Sequence, residues 1–503
     1  MQLVSISQKS SESSSERVLG VLLLIAVATM WLRHLCSSFW LDETLSLWVA
    51  SGSFSQAIER SLNFQGQSPL YFVLLHWWIN LVGSSEWLVR VPSVLCLVAS
   101  LSLFYRLALF FGDRRFGLSS ALLFVASQSA VFAATNARPY ALATLFAIAS
   151  FVLWIEAQRC ECWNRPLFIG SLVAAVAAFY THYMYWPLVL FHLVLPKERG
   201  LVKRRLWFVL AYILAILPAV PFLLELKERS ALLGLGGTPS WIELVLSLLQ
   251  PGILLLVFLS LALHDGVLRR GLRTEKRPIP LKECALLFIL PTVALFCLSY
   301  LLQTQTLFKE HYLFWRLPFL LLIFSFLLRK RSVLATYLLV FFLFAAEPYR
   351  ATPNENWRAL VGSLSSEVDV NGSSAPKVLL YSGLLESQNV ELLETSEPYR
   401  EYLSAPLRAY GYEGDVVPLP LNPLDQSAEP YLKDIARNIS TPDSRVTVAG
   451  SNGILVAGVK ANQFVEMALR QVGLFKLKEE TFEGSWLQEY GAGRTLGENE
   501  RDP

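Results

Sequence analysis

The sequence predicts a polytopic α-helical membrane protein, with about eleven transmembrane helices, followed by a soluble α/β domain. Three observations predict it. Of the 503 residues, 54% are hydrophobic and 17% charged, less charge than a soluble chain of this length carries. Long apolar runs recur as far as residue 346 and then stop. The charge balance turns at the same place, from 29 Lys and Arg against 17 acids before it to 14 against 23 from Glu347 onward. The net +3 is the near-cancellation of these halves and implies no nucleic-acid partner.

Residues 1–17 are Ser-rich and read as a disordered cytoplasmic leader. The first apolar run, Val18 to Leu35, is long enough to cross a bilayer and lacks a small-residue cleavage site, so it reads as a retained anchor. Runs bounded by charge place the spans near 18–36, 87–112, 116–134, 139–157, 166–182, 184–196, 206–224, 241–263, 283–302, 313–328 and 332–346. With the N-terminus inside, the cytoplasmic loops and leader hold 20 basic residues, among them Arg114, Lys203, Arg270 and Arg329, against eight on the other side. Lys and Arg are retained in the cytoplasm, so this asymmetry sets the N-terminus inside and, with an odd number of spans, residues 347–503 outside. Residues 18–346 are the expected membrane domain.

The first external loop, 37–86, carries apolar and aromatic residues at helical spacing: Leu45, Trp48 and Val49, then Tyr71, Leu74, Leu75 and Trp78. These predict two interfacial helices, the second begun by Pro69, whose missing N–H is not needed there. At the head of the loop stand Asp42 and Glu43. Carboxylates so close to a bilayer are costly unless a partner or a wet cavity solvates them, which marks them as functional candidates. They also suit a helix N-terminus, where they complement the dipole.

The order of parts resembles the GT-C superfamily of membrane glycosyltransferases, which use polyprenyl-phosphate sugars. The closest likeness is to bacterial relatives of protein O-mannosyltransferase and of the lipid A aminoarabinose transferase (glycosyltransferase family 39-like). The matching pieces are Asp42-Glu43, Ser68-Pro69-Leu70-Tyr71, Glu86 to Ser93 opening the second span, and Ala137-Arg138-Pro139-Tyr140-Ala141-Leu142. Thr181-His182-Tyr183, Glu310-His311-Tyr312-Leu313 with Pro318, and Asn356-Trp357-Arg358 complete the series. The chain also departs from the pattern. Gln67-Ser68-Pro69-Leu70 stands where His-Pro-Pro-Leu is frequent, Asn136 where Glu often precedes the Ala-Arg, and His311 where Arg is common.

The resemblance implies a catalytic pair, Asp42 and Glu43. It implies phosphate contacts from Arg138, Lys309, His311, Arg90 and Arg316, and a substrate pocket drawn from Gln67, Tyr71, Tyr140, His182 and Tyr312. The chemistry is consistent with that. Moving a sugar from a lipid phosphate to a hydroxyl needs a base at the acceptor oxygen and positive charge at the departing phosphate. One carboxylate base with a pre-activated leaving group implies direct displacement with inversion. The acceptor is a glycan, lipid or protein hydroxyl, and the other partner is membrane lipid. No cofactor is needed and no metal-ligand spacing occurs among the six histidines, although the superfamily is compatible with a divalent cation at Asp42.

Each candidate also has a plainer role: Arg and Lys at span ends snorkel to the interface, and His182 among Tyr180, Tyr183 and Tyr185 suits a structural hydrogen bond. The six cysteines, including Cys160 and Cys162, imply no disulfide framework. From 347 onward the pattern alternates short strands (377–381, 415–419, 445–449, 474–481, 485–490) with helices (428–439, 461–472), and no phosphate loop occurs. A transporter, which would show repeats and charges within spans, and a non-catalytic export or assembly component for surface glycans are the alternative classes.

Overall fold

The computed structural model describes residues 17–159, 164–195, 202–232, 238–249, 281–303, 308, 310–328, 355–371, 377–437, 445–451, 455–456 and 459–492. The chain forms two units: one of residues up to Cys36 together with Gly66–Ala351, the other of Ser37–Gln65 together with Thr352–Pro503. The first half of the loop expected to belong to the membrane domain is thus grouped with the C-terminal residues.

The first unit is helical. Its first helix, α1 (Arg17–Leu32), ends in a π-helical turn over Val27–Leu32. In the second unit follow α2 (Leu41–Ala50) and α3 (Phe54–Asn63). The first unit resumes with α4 (Pro69–Val82), α5 (Glu86–Leu109), α6 (Arg114–Ala126), α7 (Gln128–Thr135), α8 (Tyr140–Arg159) and α9 (Arg165–Thr181). Local chemistry sets several of these starts. Pro69 occupies the first turn of α4, the Asp113 carboxylate accepts the Phe116 N–H at 2.9 Å to cap α6, and the Asn164 side chain caps α9.

Among the described residues, four helices are long and apolar enough to cross a membrane: α5, α8, Val202–Leu226 and Leu281–Leu301. A fifth arises if α6 and α7 count as one span. The sequence read 116–134 as continuous, but the two helices meet at 59°. Ser127 is extended there, and its hydroxyl accepts the Ala130 N–H to cap α7, trading helix continuation for a new start. The expected span 184–196 is a six-residue 3-10 turn, Tyr183–Leu188, and a six-residue helix, Val189–Val194. At about 1.5 Å per residue that pair falls well short of a bilayer. The expected spans at 332–346 and beyond 249 lie outside the described residues.

The core of this unit packs Trp31, Phe104, Phe124, Phe151, Trp154 and Trp315. Small hydroxyls join the helices inside it: Ser150 lies 3.0 Å from His192 Nε2, and Ser120 donates to Ser325 at 2.8 Å. Its outer surface is apolar. Trp77, Leu81, Ile169, Val173, Leu214, Trp241, Ile242 and Leu301 stand exposed along the helices, a surface that suits hydrocarbon rather than water.

The second unit is built on a five-stranded sheet of order β2-β1-β3-β7-β6. β1 (Val378–Tyr381), β2 (Val416–Pro418) and β3 (Arg445–Ser451) run parallel, whereas β6 (Leu474–Phe482) and β7 (Ser485–Ala492) are antiparallel. The short β4 (Leu455–Val456) and β5 (Val459–Lys460) form a separate pair. β1 is buried at every position, as its unbroken Val-Leu-Leu-Tyr requires of a strand covered on both faces. Gly450 on β3 faces Trp486 on β7, and any side chain there would run into the indole.

Segment 37–65 is part of this unit. The spacing in α2 suggests a helix lying in the membrane interface, yet nine of its ten residues are buried, with Thr44 and Ser46 among them. Trp48 packs edge-on to Phe64 and Tyr402 at 5.0 and 5.2 Å between ring centroids. Arg60 lies over the Trp48 ring at 4.2 Å. Ser53 and Gln56 close a reciprocal capping box that begins α3.

Candidate functional site

Asp42 and Glu43 occupy the second and third positions of α2, within its first turn. Their roles separate there. Glu43 is fully buried, and its Oε2 accepts the Trp40 N–H at 2.9 Å, which is the capping function of an acid at the third helical position. Asp42 is half-buried.

A third carboxylate completes the group, one that sequence reasoning missed. Glu355 Oε2 accepts the Leu41 N–H at 2.9 Å and the Trp357 indole N–H at 3.0 Å, and its Oε1 accepts the Ser451 hydroxyl at 2.7 Å. Glu355 is 4% exposed. Burial pushes its carboxyl up to about 7, against the pull of those three hydrogen bonds, and the charge of Asp42 adds to the rise. The only sequence signal was its place one residue before Asn356-Trp357-Arg358.

The stretch before α2 is held from the same unit. Tyr410 Oη accepts the Phe39 N–H at 2.7 Å and lies 3.0 Å from the Ser38 hydroxyl. Phe39, Trp40 and Leu41 therefore each have their amide bonded to a side chain, those of Tyr410, Glu43 and Glu355 in turn.

The basic and aromatic candidates lie in the first unit. Arg138, in the extended turn between α7 and α8, is 5% exposed. Tyr140, the first residue of α8, lies 5.5 Å from His182, ring centroid to centroid, and Tyr312 is 4.9 Å from His182 and 6.4 Å from Tyr140. Tyr140, His182 and Tyr312 thus form one ring cluster from the start of α8, the C-cap of α9 and the 3-10 turn Glu310–Arg316, with Arg138 two residues before Tyr140 in the chain. Neighbouring Asn136 is fully buried, and its carbonyl accepts the Ser93 hydroxyl at 2.8 Å.

Two of the proposed phosphate contacts have structural engagements. Arg90 is fully buried and donates to the carbonyls of Leu35 at 2.8 Å and His34 at 3.4 Å, fastening the turn after α1 to α5. Arg316 donates to Thr292 and to the Ser247 hydroxyl and carbonyl at 2.8 and 3.0 Å, and lies over the Phe288 ring at 4.3 Å. Gln67 has a buried amide oxygen with no hydrogen-bond partner among the described residues. Tyr71 is buried against Phe72 at 5.4 Å. Lys309 and the His311 side chain lie outside the described residues.

Comparison with known proteins bears on fold and family. Residues 66–224 match the family described as dolichyl-phosphate-mannose-protein mannosyltransferase. No curated protein matches the sequence significantly. ArnT from Cupriavidus metallidurans in the apo state has a similar fold, with TM-score 0.54 and 12% identity over 95% of this chain and 98% of that one. Arabinofuranosyltransferase AftD from Mycobacteria matches with TM-score 0.50 and 14% identity over 95% of this chain and 40% of its own length. The matched segment contains Arg90, Arg138, Tyr140 and His182. Along nearly the whole chain the fold is thus similar to that of ArnT, and over residues 66–224 the sequence matches the dolichyl-phosphate-mannose-protein mannosyltransferase family model.

Proposed function

We propose that this chain transfers a sugar from a polyprenyl-phosphate donor to an acceptor hydroxyl on the external face of the cytoplasmic membrane, with inversion, and with Asp42 as general base. The observation that carries the reading is the matched segment: its family is described by a lipid-phosphate sugar donor, and it contains the buried Arg138, Tyr140 and His182. The division of labour at α2 supports the base. Glu43 is committed to a backbone amide and Glu355 to three donors, whereas Asp42 stays half-exposed.

In this scheme Asp42 takes the proton of the acceptor hydroxyl as its oxygen attacks the anomeric carbon. The carbon–oxygen bond to the phosphate breaks, and its electron pair leaves with the polyprenyl phosphate. Arg138, Lys309 and His311 neutralise the charge that accumulates there. Arg90 and Arg316 are assigned to holding helices in this scheme, a reading that their carbonyl and hydroxyl partners support. The donor is already activated, so the step consumes no nucleotide.

The test is transfer of radiolabelled sugar from membrane polyprenyl-phosphate sugars to endogenous acceptors, for wild type and Asp42→Asn at equal membrane abundance. Loss of product by about a hundredfold or more in the variant, with labelled donor still present, is the expected result. Equal product from both would remove Asp42 from the mechanism. A wild type no better than a deletion strain would remove the transferase reading and leave the transporter or assembly alternative.

A further inference from the structure

The helix that carries Asp42 lacks an ordinary cap. Its N-cap residue is Trp40, whose side chain makes no cap bond, where Ser, Thr, Asp or Asn would ordinarily serve. Glu43 takes the Trp40 amide from within the helix, and the next amide, that of Leu41 just before Asp42, is taken from 314 residues away by Glu355. The opposite oxygen of that carboxylate is tied to Ser451 at the end of β3, and the indole of Trp357 holds its near side. The next amide of the chain, Asn356 N–H, donates at 2.8 Å to the Glu483 carbonyl in the turn between β6 and β7, so the carboxylate is anchored on the sheet.

We propose that Glu355 is a positioning residue for the base, joining the first turn of α2 to the β3–β7 sheet so that Asp42 is held in register. The proposal rests on the reading of Asp42 as base. Burying a carboxylate beside another acid is a poor way to gain stability alone, because desolvation opposes it. Such an arrangement is suited to fixing geometry.

The test uses the full-length protein in its membrane, with radiolabelled polyprenyl-phosphate sugars extracted from producing cells as donor. Four variants are compared: Asp42→Asn, Glu355→Ala, Glu355→Asp and Glu355→Gln. Glu355→Ala and Glu355→Asp should lower kcat by about tenfold to a hundredfold with donor KM little changed, since a displacement of about 1 Å at a reacting group costs that much. Glu355→Gln keeps an acceptor for Leu41 and Trp357 and a donor for Ser451, and should stay within about threefold of wild type. If Glu355→Ala fails to accumulate, Glu355→Asp decides. A kcat within about twofold of wild type for the shortened side chain would overturn the positioning role, as would an equal loss in Glu355→Gln. Full activity in Asp42→Asn would instead overturn the base assignment, whatever the Glu355 variants do.

Discussion

At the scale of the residue, hydrogen-bond partners assign structural work to arginines that the sequence alone leaves undistinguished. Arg90, Arg138 and Arg316 all stand near span ends on the side read as external, and all are at most 5% exposed. Arg316 is committed to Ser247, Thr292 and Phe288, three points on two other helices. Arg316→Ala would strand those hydroxyls in an apolar core, at a cost on the order of 2–4 kcal/mol. A clear fall in the thermal unfolding midpoint in detergent is therefore expected. Arg138→Ala is expected to reduce transfer by at least about a hundredfold in protein that still folds. An Arg138 variant that loses stability and activity together would make it another clamp. Glu355 escaped sequence reading for a physical reason. A lone Glu before an Asn-Trp-Arg carries no periodicity, and its meaning depends on Leu41 and Ser451, far away in the chain.

Among the elements, legibility follows the reach of the determining interactions. β1, β3, β6 and β7 lie within a residue or two of the runs expected from alternation and β-branched content, and Pro69 opens α4 as expected. Where hydroxyls compete with the backbone, hydropathy does not register the break: Ser127 divides 116–134 into α6 and α7 although the apolar run is continuous across it. α2 was misjudged for the opposite reason, since its apolar spacing is that of an interfacial helix but its surroundings bury both faces. The carboxylate at its start also predicts a pH dependence. Glu355 is raised from 4.5 to about 7, so between those values the folded protein holds a proton that the unfolded chain has released. Stability should therefore be greatest below pH 4.5 as far as this group is concerned, and fall as pH rises through 7, by on the order of 3 kcal/mol in all. Glu355→Gln should flatten that slope in unfolding midpoints measured across the window. An unchanged slope would assign the dependence to other groups.

For the molecule as a whole, hydropathy and the turn in charge near residue 346 conveyed the class: a helical membrane unit, and residues of different composition after it. They did not convey that Ser37–Gln65 belongs with the later residues, because that grouping is made by Glu355, Tyr402 and Tyr410 through contacts over more than 300 positions of sequence. Removal of the C-terminal unit should accordingly abolish transfer even if the membrane helices still insert, because the segment bearing Asp42 loses its partners. Sugar transfer from a lipid phosphate is the central claim. Its most direct test supplies the purified full-length protein, in liposomes, with a polyprenyl-phosphate sugar labelled separately in sugar and phosphate, together with acceptor-bearing membrane extract and no nucleotide. The expected result is sugar label in the acceptor fraction, matched by phosphate label that remains with the lipid, and neither change with Asp42→Asn. Donor that stays intact, or that merely crosses the bilayer with both labels still joined, would contradict the account.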